Sequence, residues 1–266
     1  MAKTGGTDGE HRSAALALLW GTAGATGRRG PRPTLTLDAI ARSGVGIADA
    51  DGLTSLTMQR AAADLGVTKM ALYRYVPGKE ELVALMIEAA IGAPPEPDPA
   101  DGAWRPRLDA WARRLYERFA RHPWAVDAAV GARPVGPHEL GWMEWAVAAL
   151  ADCGLDGGEK LDVAVTLVGH VRAIAQQGAA TPDAGTEEAM AAGIAPLLAD
   201  RQEQFPALTE AFASAARHGS QSQALDFGLA RILDGVELLV RERRKTPGAA
   251  GREAPTAGSG ASSGGN

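Results

Sequence analysis

Between Thr57 and Tyr75 the chain sets three alanines in a row (Ala61, Ala62, Ala63), a glycine three positions later (Gly66) and a second threonine at position 68. Few folds accommodate that order. Small alanine side chains let one helix lie close against the next, and glycine supplies the left-handed backbone on which a helix often ends. A threonine hydroxyl accepts a hydrogen bond from the first turn of a helix, so Thr57 and Thr68 mark two helix starts. The pattern predicts two short helices, the first starting near Thr57 and ending before Gly66, the second capped by Thr68 and ending near Tyr75, joined as a helix-turn-helix. Val67 is expected buried at the turn and Leu72 anchored in the core, leaving Lys69, Met70, Ala71 and Tyr73 to project. A helix that enters a major groove needs such a projecting surface.

Two further helices complete this region. Thr36 caps one that runs to about Ala50, with Leu37, Ile40, Ala41, Gly44, Ile47 and Ala48 on one face. Another is expected to start with Pro77 in its first turn and to reach Ile91, with Leu82, Leu85, Met86, Ala89 and Ala90 inward. Four prolines between Gly92 and Ala103 prevent a helix there and make a connector. Beyond it helices are predicted near 105–121, 123–131, 137–152, 158–178, 187–200, 206–218 and 221–244. No convincing strand or internal repeat is found. The predicted fold class is all-α.

Charge divides the chain along the same line. Although the net charge is −5, residues 28–79 carry eight basic side chains against four acidic ones, and residues 80–266 carry 17 against 26. A basic block within an acidic chain is the asymmetry expected when one part meets a polyanion. The longest apolar run, Ala14 to Trp20, is far too short to span a bilayer. It is also a poor secretory signal, because Asp8 and Glu10 dilute the basic stretch in front. One cysteine, Cys153, allows no intramolecular disulfide and suits a reducing cytoplasm. Residues 1–12 and 246–266 are too poor in apolar side chains to offset the entropy of ordering, and are expected to be disordered.

The stretch from Leu56 to Leu82, with Leu-Gly-Val-Thr at 65–68, Leu-Tyr-Arg-Tyr-Val at 72–76 and Lys79 two residues past a proline, resembles the DNA-binding domain of the TetR/AcrR regulators. The segments Leu18-Leu19-Trp20-Gly21, Arg29-Gly30-Pro31-Arg32 and Ile47-Ala48-Asp49-Ala50-Asp51-Gly52-Leu53 are similar to the subgroup with a tetracycline-repressor type of C-terminal domain. The resemblance implies a flexible basic extension over 1–33, a three-helix helix-turn-helix domain with its connecting helix over 34–91, and a helical ligand-binding and dimerisation domain over 104–244. It further implies a cytoplasmic homodimer that acts as a repressor on a palindromic double-stranded operator. Helices 158–178 and 221–244, the latter with Leu229 and Val236 in its apolar stripe, carry more apolar surface than one helix layer hides and are expected to pair the two copies. The alternatives are an activator of the same type, or a helical small-molecule-binding or enzyme-like protein whose helix-turn-helix makes protein contacts.

Residue roles follow from chemistry and resemblance together. Gln59, Lys69, Met70 and Ala71 are expected to face base edges, where Gln reads adenine, Lys reads guanine, and Met or Ala meets a thymine methyl. Thr57 and Thr68 either touch phosphate or only cap their helices. Tyr73, Tyr75 and Lys79 resemble backbone-contacting positions of the family, although Tyr73 also suits a core contact. Arg28, Arg29 and Arg32 form either an arm along the DNA or a solvated linker.

Enzyme motifs fail. There is no phosphate-binding Gly-x-x-x-x-Gly-Lys-Ser/Thr loop, and the glycines at 21, 24 and 27 follow no strand. The five histidines lack metal-ligand spacing, so no cofactor and no metal is predicted. Gly260-Ala261-Ser262-Ser263-Gly264 matches a nucleophile-elbow pattern without any scaffold around it. Five tryptophans between Trp104 and Trp145 are either core filler or the walls of an aromatic pocket. The resemblance favours a pocket for an apolar or aromatic effector, walled by Trp111, Leu115, Arg133, Trp142, Met143, Trp145 and His170. In it Arg133 either holds an anionic ligand group or makes a structural salt bridge. The chain departs from the tetracycline repressor at Ala129 and near Gly178, where that protein has its magnesium-chelating histidine and partner carboxylate. This implies that the effector is not a magnesium chelate.

Overall fold

The structure is a computed structural model that describes residues 13–21, 35–96, 102–131, 133–179, 186–218 and 224–245; both terminal segments expected to be disordered and Arg28, Arg29 and Arg32 lie outside these. Among the described residues every regular element is helical. The helices are α1 (residues 13–19), α2 (Leu37–Asp51), α3 (Met58–Asp64), α4 (Lys69–Tyr73), α5 (Lys79–Ile91), α6 (Trp104–Arg121), α7 (Pro123–Ala128), α8 (Pro137–Ala149), α9 (Gly157–Ala179), α10 (Thr186–Ala199), α11 (Pro206–His218) and α12 (Ala224–Lys245), with a 3-10 turn at Leu53–Ser55.

The N-terminal helices follow from their caps. Thr36, Thr57 and Thr68 each accept a backbone N–H of the first turn, from Ala39, Arg60 and Ala71 respectively. Gly66 sits at φ +65°, a backbone region in which a side chain is strained, so glycine lets the chain turn there. Ile40, Leu56, Ala61, Leu72, Val76, Leu82 and Met86 close the core beneath. Three details differ from expectation. Val67 is only half-buried. Pro77 precedes α5, whose cap is Gly78, and Ala89 faces outward. The rotation that exposes Ala89 turns its neighbour Glu88 inward, where it is 7 % exposed.

α5 is the joint of the molecule. It packs on α2 on one side and on α6, α7 and α8 on the other, so nearly all its circumference is buried. Asp49, at the end of α2, adds a second tie: its carboxylate accepts the indole N–H of Trp124 at 2.7 Å and meets His122 Nδ1 at 2.9 Å. Part of the extension expected to be flexible is helical: Ala15 of α1 is buried, and the Trp20 indole donates to the Val135 carbonyl at 3.1 Å.

In the C-terminal half α9 is central, packed against α6, α7, α8 and α12. Arg105 of α6 grips α12 through Asp234 at 2.5 Å and Glu237 at 3.2 Å, and Arg243 of α12 pairs with Glu159 of α9. Cys153 is buried, which pushes its thiol pKa up. Leu229 and Val236, which the apolar spacing of helix 221–244 offers as interface residues, are instead buried within this chain's own core. The exposed apolar side chains of the two long helices are Leu161 and Val165 on α9 and Phe227 and Leu238 on α12.

Candidate DNA-reading surface and effector cavity

The candidate reading surface is built on two short helices, α3 and α4, with Met58, Ala61, Ala62 and Leu72 buried under them. Thr57, Gln59, Thr68, Lys69 and Lys79 are exposed, and Met70 is 74 % exposed. An unbranched apolar side chain left this far in water is costly to hold there for packing alone and suits contact with an apolar base edge. Ala71, Tyr73 and Tyr75 are half-buried. Tyr73 has both characters that its sequence context allows: its ring packs on the core, and the Lys69 ammonium stands 5.6 Å from the ring centroid on the outer side. Arg60, next to this surface, is paired with Asp51, which leaves Lys69, Arg74 and Lys79 as the exposed cations of the turn and the α5 start.

The tryptophans separate into two groups. Trp111 is 1 % exposed, and its indole donates to the Trp142 carbonyl at 2.8 Å; the two rings meet edge to face, 6.3 Å apart. Trp142 in turn donates to the Gly92 carbonyl just past the end of α5, at 3.0 Å. Beside this pair lies a cavity of about 100 Å3, with Trp111, Leu115 and Phe119 of α6, Trp142 and Met143 of α8, and Val168 and Arg172 of α9 in its walls. Ile91, Ala129 and Glu139 complete it.

Four of the seven expected pocket residues, Trp111, Leu115, Trp142 and Met143, therefore share one cavity. Three do not line it. Trp145 turns toward the Arg114 guanidinium, 5.4 Å from its ring centre. His170 packs against the bare backbone of Gly228 and meets the Leu225 carbonyl at 3.2 Å, joining α9 to α12. Arg133 is taken by Glu139 in two bonds of 2.5 Å, the salt bridge that its sequence context left open.

Sequence reasoning missed Arg172 and Glu139, the charged groups of the cavity wall. Arg172 lies four residues after Val168, one helical turn along the same face of α9, and that spacing was the available signal. Burial, and then the nearby charge of Arg133, lower the Arg172 pKa from its ordinary value. Ala129, where the tetracycline repressor resemblance places a magnesium ligand, does stand in the cavity wall; among the described residues no group of three or more metal-ligating side chains occurs. Nor is any described helix long and apolar enough to cross a membrane.

Residues 96–240 match the family model described as tetracyclin repressor-like, C-terminal domain. The chain is 38 % identical over 237 residues to the HTH-type transcriptional repressor DrrR1 of Streptomyces coeruleorubidus, covering 86 % of this chain and 87 % of that one. It is 30 % identical over 187 residues to an HTH-type transcriptional regulator of Saccharopolyspora erythraea, covering 68 % and 76 %. Among solved structures it is similar to apo ActR from Streptomyces coelicolor, with a TM-score of 0.66, 25 % identity, and coverage of 80 % and 99 %. The same TetR family protein solved in complex with actinorhodin matches at a TM-score of 0.64 and 25 % identity, covering 78 % and 97 %.

Proposed function

This chain belongs to the TetR family of transcriptional regulators, and we propose that it works there as a homodimeric repressor released from a palindromic operator by a small aromatic effector. The observation that carries the proposal is the path between its two sites. The Trp111–Trp142 wall of the cavity is hydrogen-bonded to the carbonyl just past α5, the other face of α5 packs on α2, and α3 of the helix-turn-helix packs on α2.

One reading head covers too few base pairs to be selective, and a two-fold dimer overcomes this by reading two half-sites about 34–36 Å apart. The exposed Val165, Phe227 and Leu238 on α9 and α12 support pairing through these helices, since an apolar face left in water favours a partner. In each head Gln59, Lys69, Met70 and Ala71 face the bases, while Thr57, Thr68, Tyr73, Tyr75 and Lys79 hold the backbone.

Release requires an effector that binds one conformation better than the other. The cavity, about 100 Å3, is smaller than the roughly 150 Å3 of an engineered cavity that takes up benzene. A larger ring system needs more room than this and presses on α8, whose Trp142 is tied to the end of α5. A few ångströms of movement at α5 change the spacing of the heads and disfavour two adjacent major grooves.

The test is a mobility-shift assay with DNA flanking the protein's own coding sequence, across a salt series. Specific binding that weakens steeply with salt is expected, since each phosphate contact releases condensed counterion. Absence of a specific shift, or binding independent of salt, overturns the reading.

A further inference from the structure

Two hollows flank α8, and they share one side chain. On the surface, Leu140, Gly141, Met143, Glu144 and Val147 of α8 and Leu161 of α9 line an apolar groove of about 400 Å3. Inside lies the cavity of about 100 Å3 beside Trp111 and Trp142, and Met143 belongs to both walls. The inner hollow alone is too small for a multi-ring molecule, whereas the two together fall within the roughly 300–1,000 Å3 of typical small-molecule sites. An unbranched thioether with three rotatable bonds is among the least costly partitions to move aside.

The cavity wall carries a guanidinium that no carboxylate pairs with directly. Arg172 lies in the field of Arg133 and of the carboxylates of Glu139 and Asp127, but Arg133 occupies both oxygens of Glu139 and Asp127 accepts from the Gln176 amide. Arg172 donates one N–H to the Val126 carbonyl at 3.0 Å and takes part in none of the ion pairs formed among the described residues. The groove end carries the opposite sign, Glu144. An elongated molecule with one anionic end fits this arrangement in one direction, its anion meeting the Arg172 N–H groups that make no ion pair and its apolar part lying toward Glu144 and the groove.

We propose that the groove and the cavity are two halves of one effector site, made for an extended aromatic acid whose carboxylate meets Arg172 in the inner half while its remaining rings lie in the groove beyond a displaced Met143. This rests on the reading of the chain as an effector-released repressor and adds the chemical class of the effector and the residue that selects it. Guanidinium and carboxylate match in plane and in donor spacing, so Arg172 selects the acid over a neutral isostere of the same shape. Val168 and Leu115 provide flat apolar contact to the ring next to the carboxylate.

The experiment uses the full chain with two probes of the same shape, 2-naphthoate and 2-naphthamide, titrated by calorimetry and tryptophan fluorescence. Wild type should bind the acid about tenfold or more tightly than the amide, the ratio expected for a charge-assisted bond in place of a neutral one. Arg172→Gln should bring the acid down to the amide's affinity without changing the amide, and Arg172→Lys, which keeps the charge, should retain part of the preference. Met143→Ala should speed association of both probes severalfold in stopped flow. Equal affinity for acid and amide in wild type overturns the anion site and leaves the cavity standing. A preference that survives in Arg172→Gln, with unchanged circular dichroism, reassigns the charge to another group and overturns the role of Arg172. Binding of neither probe by a protein that still shifts its operator overturns the cavity as the effector site, while leaving the DNA-binding reading intact.

Discussion

The carboxylate of Glu88, on α5, accepts the backbone N–H of His138 at 2.8 Å, fifty residues further along the chain. Its second oxygen accepts the N–H of Glu139 at 3.1 Å, and His138 Nδ1 lies 3.0 Å from the Glu88 carbonyl. The first turn of α8 has no capping side chain of its own, because Gly136 occupies the cap position. The connecting helix thus supplies the cap for the helix that walls the cavity beside Trp111 and Trp142. Glu88→Ala leaves these amide donors without their acceptor, and should lower stability by about 1–3 kcal/mol, read by chemical denaturation. Effector-dependent release of DNA should weaken in the same variant, while DNA affinity without effector stays close to wild type.

The reading surface predicts two separable phenotypes. Lys79→Ala should weaken binding to all DNA sequences and reduce the slope of log affinity against log salt by about one. Lys69→Ala and Gln59→Ala should instead change which bases are preferred, at about 1–3 kcal/mol for each good base contact. Selection from a randomised half-site library distinguishes the two classes, and an unchanged selected sequence in both base-facing variants counts against the assignment.

The dimer contact is predicted on the outer faces of α9 and α12. Val165→Glu and Leu238→Glu place a charge on side chains 58 % and 60 % exposed in the single chain, so each should leave the fold intact and yield monomers by sedimentation. Leu229→Glu, by contrast, buries an unpaired charge in a fully enclosed site and should unfold the chain. A stable monomer from Leu229→Glu, or dimers from both surface variants, would show the helices facing the other way.

Acid should loosen α12 first. Arg105, and then Arg231, hold the Asp234 carboxyl below the usual range, and Arg243 does the same for Glu159. A carboxyl with a depressed folded pKa contributes stability above its unfolded value of about 4, and that contribution is lost as pH falls through the lower folded value. Thermal midpoints should therefore fall below about pH 4, and Arg105→Ala should flatten part of that fall.

The helix-turn-helix was legible because its determinants are local: the caps at Thr57 and Thr68, the small alanines and the turn at Gly66 all act within a dozen residues. Helix 221–244 shows where such reasoning stops. Its strongest apolar stripe is real, yet periodicity cannot state whether the surface it meets belongs to the same chain or to a copy, and Leu229 and Val236 turned out to face their own core. The tryptophans show the same boundary. Composition gathers them, but which of them share a hollow depends on how α6, α8 and α9 cross, and Trp145 and His170 point elsewhere. Glu88 carried a signal that went unread: one carboxylate inside the run from Leu82 to Ile91 must find partners if the helix is buried on all sides.

The brevity of α4 has a consequence for regulation. Five residues cannot hold a helical shape alone, since isolated helices shorter than about 12–15 residues are marginal in water. Its form is set by Thr68 at one end, by Leu72 beneath, and by the α2–α5 pair on which the whole head rests. The head therefore travels as one piece. In the proposed dimer an effector acting through α5 alters where the two heads stand and leaves unaltered what each of them recognises, so vocabulary and occupancy are written in separate parts of the molecule and can evolve independently.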